Sequence, residues 1–151
     1  MTLSRVIASV CGLGRFPWAP GTLTSIVAAL AAAPMLDVSP WLLLAAALMA
    51  TLLGVWAIDA TGVAARDPTW IVIDEVAGQW ITLLALPRAT LPAFAAGVVL
   101  FRALDVAKPG PIGWADRQTG AVAVMGDDVI AGMIGAAVLL GFRLAWPGAL
   151  D

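Results

Sequence analysis

Between Arg15 and Asp59 the chain carries a single charged residue, Asp37, and the two runs that it separates, Phe16 to Leu36 and Val38 to Ile58, carry none. About 20 apolar residues in a helix span the roughly 30 Å hydrocarbon core of a bilayer. Within that core the backbone must satisfy its own hydrogen bonds, so an apolar run of this length is expected to be a transmembrane helix. Asp37 and Pro40 mark a tight turn between two such helices. Three more charge-free runs, Val76 to Pro87, Ala89 to Phe101 and Val129 to Phe142, are short for the core and need flanking residues, tilt or local thinning of the bilayer. The expectation is an all-α polytopic membrane helical bundle of about five helices, near 22–36, 41–58, 71–86, 91–106 and 128–145, forming one domain over residues 1–151.

Composition narrows the chemistry. Of 151 residues only 18 are charged, where a soluble domain of this size would carry about 38. With a mean hydropathy of +0.97, this excludes a disordered chain, a nucleic-acid binder and an ordinary soluble globule. There is no histidine, so imidazole metal sites, phosphohistidine intermediates and Ser/His/Asp triads are absent. Cys11 is the one cysteine, so no intramolecular disulfide or cysteine-rich metal site can form.

The stretch Leu3 to Trp18 mixes Arg5 and Arg15 with Val6, Ile7, Val10 and Leu13. It reads as an interfacial or re-entrant lead-in, without the uninterrupted apolar core and cleavage site of a secretory signal. With a cytoplasmic N-terminus, Arg5, Arg15, Arg66, Arg102, Lys108 and Arg117 fall on the cytoplasmic side and Arg88 and Arg143 opposite, as the positive-inside rule favours. The same layout gathers Asp59, Asp67, Asp74, Glu75, Asp105, Asp116, Asp127 and Asp128 on the cytoplasmic side and leaves Asp37 and Asp151 opposite.

Four stretches could carry chemistry. In Ile71-Val72-Ile73-Asp74-Glu75 two acids follow directly on an apolar run, where a carboxylate at mid-membrane costs about 2.5 to 3.5 kcal/mol. The pair therefore belongs near the interface or against a polar cavity; at a helix N-terminus the dipole alone would favour it. The apolar residues ahead of the pair suggest that the helix starts before it. In Arg102 to Pro111, Arg102 and Asp105 share a helix face, with Lys108 next before Pro109 stops the helix. That trio reads either as a salt bridge with topogenic cations or as a phosphate site with Asp105 as a metal ligand. Asp116 and Arg117 follow on a stiff loop. Asp127 and Asp128 open the last expected helix, where an N-cap explains one acid but not both. Separate carboxylate groups beside helix ends suit Mg²⁺, a hard cation that shares oxygen ligands with phosphate. Lastly, Gly12 to Thr22 is a Gly/Pro-rich turn whose amides, at Gly21 for instance, and Thr22 hydroxyl could cradle an anion or merely start a helix.

Taken together, Pro20-Gly21-Thr22, Ile73-Asp74-Glu75-x-x-Gly78, Phe101-Arg102-x-x-Asp105-x-x-Lys108-Pro109-x-Pro111, Asp116-Arg117 and Gly126-Asp127-Asp128-x-x-Ala131-Gly132 resemble the phosphatidylglycerophosphatase A family, in order and over nearly the whole chain. The resemblance implies a Mg²⁺-dependent lipid phosphatase of the bacterial inner membrane that converts phosphatidylglycerophosphate to phosphatidylglycerol and phosphate on the cytoplasmic side. On that footing Asp74, Glu75, Asp105 and one or both of Asp127 and Asp128 hold one or two Mg²⁺. Arg102, Lys108 and Arg117, with Gly21 and Thr22, hold the phosphate. Asp116 or Asp128 orients water or protonates the leaving glycerol oxygen. The competing readings are another membrane-lipid phosphotransfer enzyme and a small cation transporter or channel, the latter requiring charges along the spans on both sides of the midplane.

Overall fold

A computed structural model describes residues 2–64 and 68–150. Arg66, Asp67 and Asp151, which enter the topology argument above, lie outside the described residues. The order is α1 (Leu3–Ala8), a 3₁₀ turn (Leu13–Arg15), α2 (Pro20–Val38), α3 (Pro40–Thr61), α4 (Ile73–Leu83), α5 (Leu91–Ala107), α6 (Pro111–Asp116) and α7 (Ala121–Ala145). Among the described residues there is no strand, and the chain is a helical membrane bundle.

The starts and stops follow local chemistry. Pro20, Pro40 and Pro111 each occupy the first position of a helix, where their missing N–H costs nothing. The Ser39 hydroxyl accepts from the Trp41 amide at 3.2 Å and caps α3. Gly62, with φ of 70°, supplies the left-handed residue that closes the same helix.

All five expected helices are present and two short ones are added; the boundary shifts that bear on the site are the starts of α7 and α4. Helix α7 starts at Ala121, seven residues before the expected start, because Ala121, Val124, Met125 and Asp128 recur on one face and are buried together. Asp127 and Asp128 therefore lie in its second turn and neither is an N-cap. Helix α4 starts at Ile73 and not at 71, because Val72 holds a non-helical backbone with φ of −148°, its amide tied to the Ala8 carbonyl at 2.9 Å. Asp74 and Glu75 thus occupy its first turn. Three helices, α2, α3 and α7, are long and apolar enough to cross a membrane, with 19, 22 and 25 residues. Their outer faces carry exposed Leu30, Leu42, Leu48, Leu52 and Leu144, which suit lipid contact.

Helices α2, α4 and α7 begin, and α5 ends, around one cavity at one end of the bundle. At the far end Arg143 donates to the Ala85 carbonyl just beyond α4. Helices α4 and α7 run parallel and pack more extensively than any other pair. Their contact is made by glycine. A Cβ built on Gly132 would lie 2.5 Å from the Gly78 carbonyl oxygen, and one on Gly78 would lie 2.6 Å from the Asp128 carbonyl oxygen. Such backbone contact is how helices associate in lipid, where packing and not water exclusion supplies the attraction.

Candidate active site

The α4–α7 contact sets the site. Asp74 lies four residues before Gly78 and Asp128 four before Gly132, so the parallel packing of the two glycines brings Asp74 and Asp128 to the same level. Carboxylate oxygens of Asp74, Glu75 and Asp128 lie within 4.8 Å of one another, and so do those of Asp105, Asp127 and Asp128. Two triads thus share Asp128. Helix α2 approaches from another side. A Cβ on Gly21 would lie 2.1 Å from Glu75 Oε1 and 3.1 Å from Arg102 Nη1, so only glycine lets α2 come this close.

These groups line a cavity of about 270 Å³, with Pro68, Thr69 and Ile71 of the α3–α4 connection on its wall. Asp127 and Asp128 are only 6% and 3% exposed. Arg102 Nη1 stands 2.5 Å from Asp105 Oδ2 and 3.7 Å from Glu75 Oε1. Lys108 contacts Asp127 directly, Asp116 at 2.7 Å and Asp105 at 3.8 Å. It stands just past the end of α5 in the left-handed region, with φ of 45°. The following Pro109 disfavours the helical region there, and the strained backbone aims the ammonium across to α7.

The charges do not balance. Five carboxylates, Asp74, Glu75, Asp105, Asp127 and Asp128, share the cavity with two cations, Arg102 and Lys108, a formal excess of three negative charges. Burial raises the Glu75 carboxyl well above its ordinary range, and the neighbouring Asp74 charge and hydrogen bond raise it further against the opposing pull of Arg102. Burial works to lower the Lys108 ammonium, but hydrogen bonds to Asp116 and Asp127 outweigh it and hold the group well above its ordinary value. The buried Glu75 Oε2 has no hydrogen-bond partner. A low-dielectric site with excess carboxylate and an unpartnered oxygen fits a hard divalent cation, and the all-oxygen donor set fits it in kind.

A family model, phosphatidylglycerophosphatase A, matches residues 6–143. The chain belongs to the phosphatidylglycerophosphatase A family. It is 39% identical over 150 residues to Escherichia coli phosphatidylglycerophosphatase A, covering 95% of this chain and 85% of that one. It is 33% identical over 143 residues, 87% of each chain, to a Bacteroides thetaiotaomicron protein with the provisional name phosphatidylinositol-3-phosphatase. No solved structure matches the chain.

Of the residues that the family resemblance singled out, Asp74, Glu75, Asp105, Asp127, Asp128, Arg102, Lys108 and Gly21 line the cavity. Asp116 does not; it is exposed and reaches the cluster only through Lys108. Arg117 is exposed and Thr22 half-buried, and neither lines the cavity. Sequence reasoning passed over Pro68 and Thr69 and gave Ile71 no role; all three approach only through the fold of a loop. It also gave no role to Gln79, one turn beyond Glu75, fully buried with both ends of its amide unpartnered. A glutamine inside an apolar helix four residues from a candidate ligand was the available signal.

Proposed function

We propose that this chain hydrolyses the phosphomonoester of phosphatidylglycerophosphate, giving phosphatidylglycerol and inorganic phosphate, with Mg²⁺ held by the carboxylate cluster at the cytoplasmic face of a bacterial inner membrane. The observation that carries the reading is the pair of carboxylate triads sharing Asp128 in a cavity at the end of membrane-length helices. A lipid phosphate lies at the headgroup level of the bilayer, the depth at which helix ends are found. Asp74 and Glu75 on α4, Asp105 on α5, and Asp127 and Asp128 on α7 would hold one or two Mg²⁺. Bound there, the ion supplies Lewis-acid stabilisation of phosphoryl charge and activation of water.

The chain's own groups do the rest. Arg102 and Lys108 spend their contacts on carboxylates, so their first task is to hold Glu75, Asp105 and Asp127 in register while lowering the repulsion that an anionic substrate meets. The amide end of α2 at Gly21 borders the cavity and presents the positive end of a helix dipole to phosphate oxygens. Of Asp116 and Asp128, the latter alone borders the cavity, so it is the better placed to orient water or hand a proton to the leaving glycerol oxygen. Apart from the turn acid Asp37, the charges of the described residues lie near the helix ends, and acids cluster at one end, which disfavours the transporter or channel reading.

The test is phosphate release by purified protein in detergent, from phosphatidylglycerophosphate and from phosphatidylinositol 3-phosphate, with Mg²⁺ and with a chelator. Release from the former that requires Mg²⁺, and that Asp74→Asn or Asp105→Asn abolishes in a folded protein, is expected. Full turnover in chelator would refute the metal reading, and preference for the inositol lipid would refute the substrate.

A further inference from the structure

Among the described residues, the buried side-chain nitrogen and oxygen atoms that lack a hydrogen-bond partner belong to four side chains: Thr24 on α2, Glu75 and Gln79 on α4, and Arg102 on α5. They are not scattered. Helices α2 and α4 run parallel, since Gly21 approaches Glu75 at the cavity and the Ala28 carbonyl accepts from the Trp80 indole further in, at 2.8 Å. Thr24 lies between those two contacts. Helix α5 runs the other way, with Arg102 beside Glu75 and Gly97 beside Gln79 and Leu83. The four residues therefore belong to one layer between the three helices, at and directly beneath the acidic cavity.

Gln79 is the centre of that layer. It is fully buried, and neither end of its amide has a partner, a costly arrangement that an apolar side chain of the same length would avoid. Four residues apart on one helix, Glu75 and Gln79 share a face. Helical side chains lean toward the N-terminus, so Gln79 reaches back over the turn that carries Glu75. Glu75 Oε1 faces Gly21 and Arg102, and Oε2 is the buried oxygen without a partner. The unpartnered groups are complementary: Gln79 Nε2, Arg102 Nε and the Thr24 hydroxyl donate, while Glu75 Oε2 and Gln79 Oε1 accept. Opposite the amide stands a glycine, and a Cβ built on Gly97 would lie 3.8 Å from Gln79 Nε2. Buried donors and acceptors that share a layer without touching are what buried water bridges.

We propose that Gln79 is a positioning residue of the carboxylate cluster, linked through buried water to Glu75 Oε2 on one side and to the Arg102 Nε and Thr24 donors on the other, and that this link holds Glu75 Oε1 toward a divalent cation in the cavity. Gln79 touches neither substrate nor metal and acts through Glu75. A carboxylate that offers one oxygen to a metal is oriented by a donor on the other, and loss of such a donor weakens the metal and not the fold. This rests on the metal-dependent phosphatase reading and adds to it the group that fixes one ligand in place.

The test uses Gln79→Met, which keeps the length of the side chain and removes the amide, with Thr82→Val as control, since the Thr82 hydroxyl is buried in the same helix but already bonded to the Gly78 carbonyl at 3.0 Å. Mg²⁺ affinity is read without substrate, from the rise of the unfolding temperature in detergent with Mg²⁺ concentration. Gln79→Met is expected to weaken it about 10- to 100-fold, while its unfolding temperature in chelator is no lower than that of the original chain. In turnover, the Mg²⁺ concentration for half-maximal phosphate release should rise by the same factor, with KM for the lipid at saturating Mg²⁺ unchanged. Thr82→Val should leave Mg²⁺ affinity as it was. Original affinity in Gln79→Met, equal weakening in Thr82→Val, or a matching loss of stability in chelator would overturn the proposal. Weakened Mg²⁺ binding in Gln79→Met, in a chain that releases no phosphate from the lipid, would leave Gln79 assigned and refute the phosphatase; Mg²⁺-dependent release that Gln79→Met leaves untouched would refute the role of Gln79 alone.

Discussion

The contact between Gly78 and Gly132 offers the sharpest test of how the site is built. A methyl added at Gly132 meets three backbone atoms of Gly78, the oxygen at 2.5 Å, Cα at 3.0 Å and the carbonyl carbon at 3.1 Å. No side chain can rotate aside, and non-bonded carbon atoms rest at about 3.5 Å, so α7 must part from α4 by roughly 1 Å. Overpacking of this kind costs about 1–3 kcal/mol, offset by up to about 1 kcal/mol from replacing glycine by alanine in a helix. The larger consequence is for chemistry. The triad oxygens lie within 4.8 Å of one another across this interface, and a 1 Å misplacement of catalytic groups can cost about 100-fold in rate. Gly132→Ala is therefore expected to lose about two orders of magnitude in phosphate release and to need more Mg²⁺, with modest loss of thermal stability. Two controls complete the series. Gly135→Ala meets no backbone, only the Thr82 side chain, the hydroxyl at 3.0 Å and the methyl at 3.1 Å; it should lose less than Gly132→Ala, staying within about tenfold of the original rate. At Gly126 nothing lies within 4 Å, and alanine should leave turnover intact while stabilising by up to about 1 kcal/mol. Initial rates against Mg²⁺ concentration, with unfolding in the same detergent, read all three. Original turnover in Gly132→Ala, or an equal loss in Gly126→Ala, would refute the reasoning.

Other expectations follow from the same geometry. Asp128→Asn, at the junction of the two triads, should lower turnover at least about 1,000-fold, whereas Asp116→Asn, outside the cavity, should lower it only a few-fold; comparable losses in the two would contradict the placement. Lys108→Met leaves the buried Asp127 without its cation and is expected to destabilise the protein by about 3 kcal/mol in chelator, seen as a lowered unfolding temperature. Gly14→Ala places a methyl 2.0 Å from the Trp70 carbonyl oxygen. It should prise the lead-in from the α3–α4 connection and sharply reduce folded protein in detergent extraction.

Much of the site was legible in the chain because its local part is governed by helix periodicity. Arg102 and Asp105, three residues apart, form the ion pair that their spacing demands. Asp74 and Glu75 sit at a helix start, and the acids collect at one end of the bundle. Legibility ended where contacts cross between helices. Lys108 with Asp127 and Arg102 with Glu75 are partners that no spacing rule relates, and they depend on how α4, α5 and α7 approach. Asp116, Arg117 and Thr22 failed to reach the cavity for the same reason: adjacency to a motif does not aim a side chain.

The amino-acid sequence by itself determined that this chain lives in lipid as helices, since an apolar run that must satisfy its own backbone in hydrocarbon has no other open form. It also determined which residues have the chemistry of a phosphate and metal site. The tertiary structure alone decided that Asp128 belongs to both triads and that α2 comes close enough at Gly21 to touch Glu75. Those facts are set by how close two backbones come, to fractions of an ångström, at glycines such as Gly78 and Gly132, and that closeness is a property of the packed pair and not of either helix.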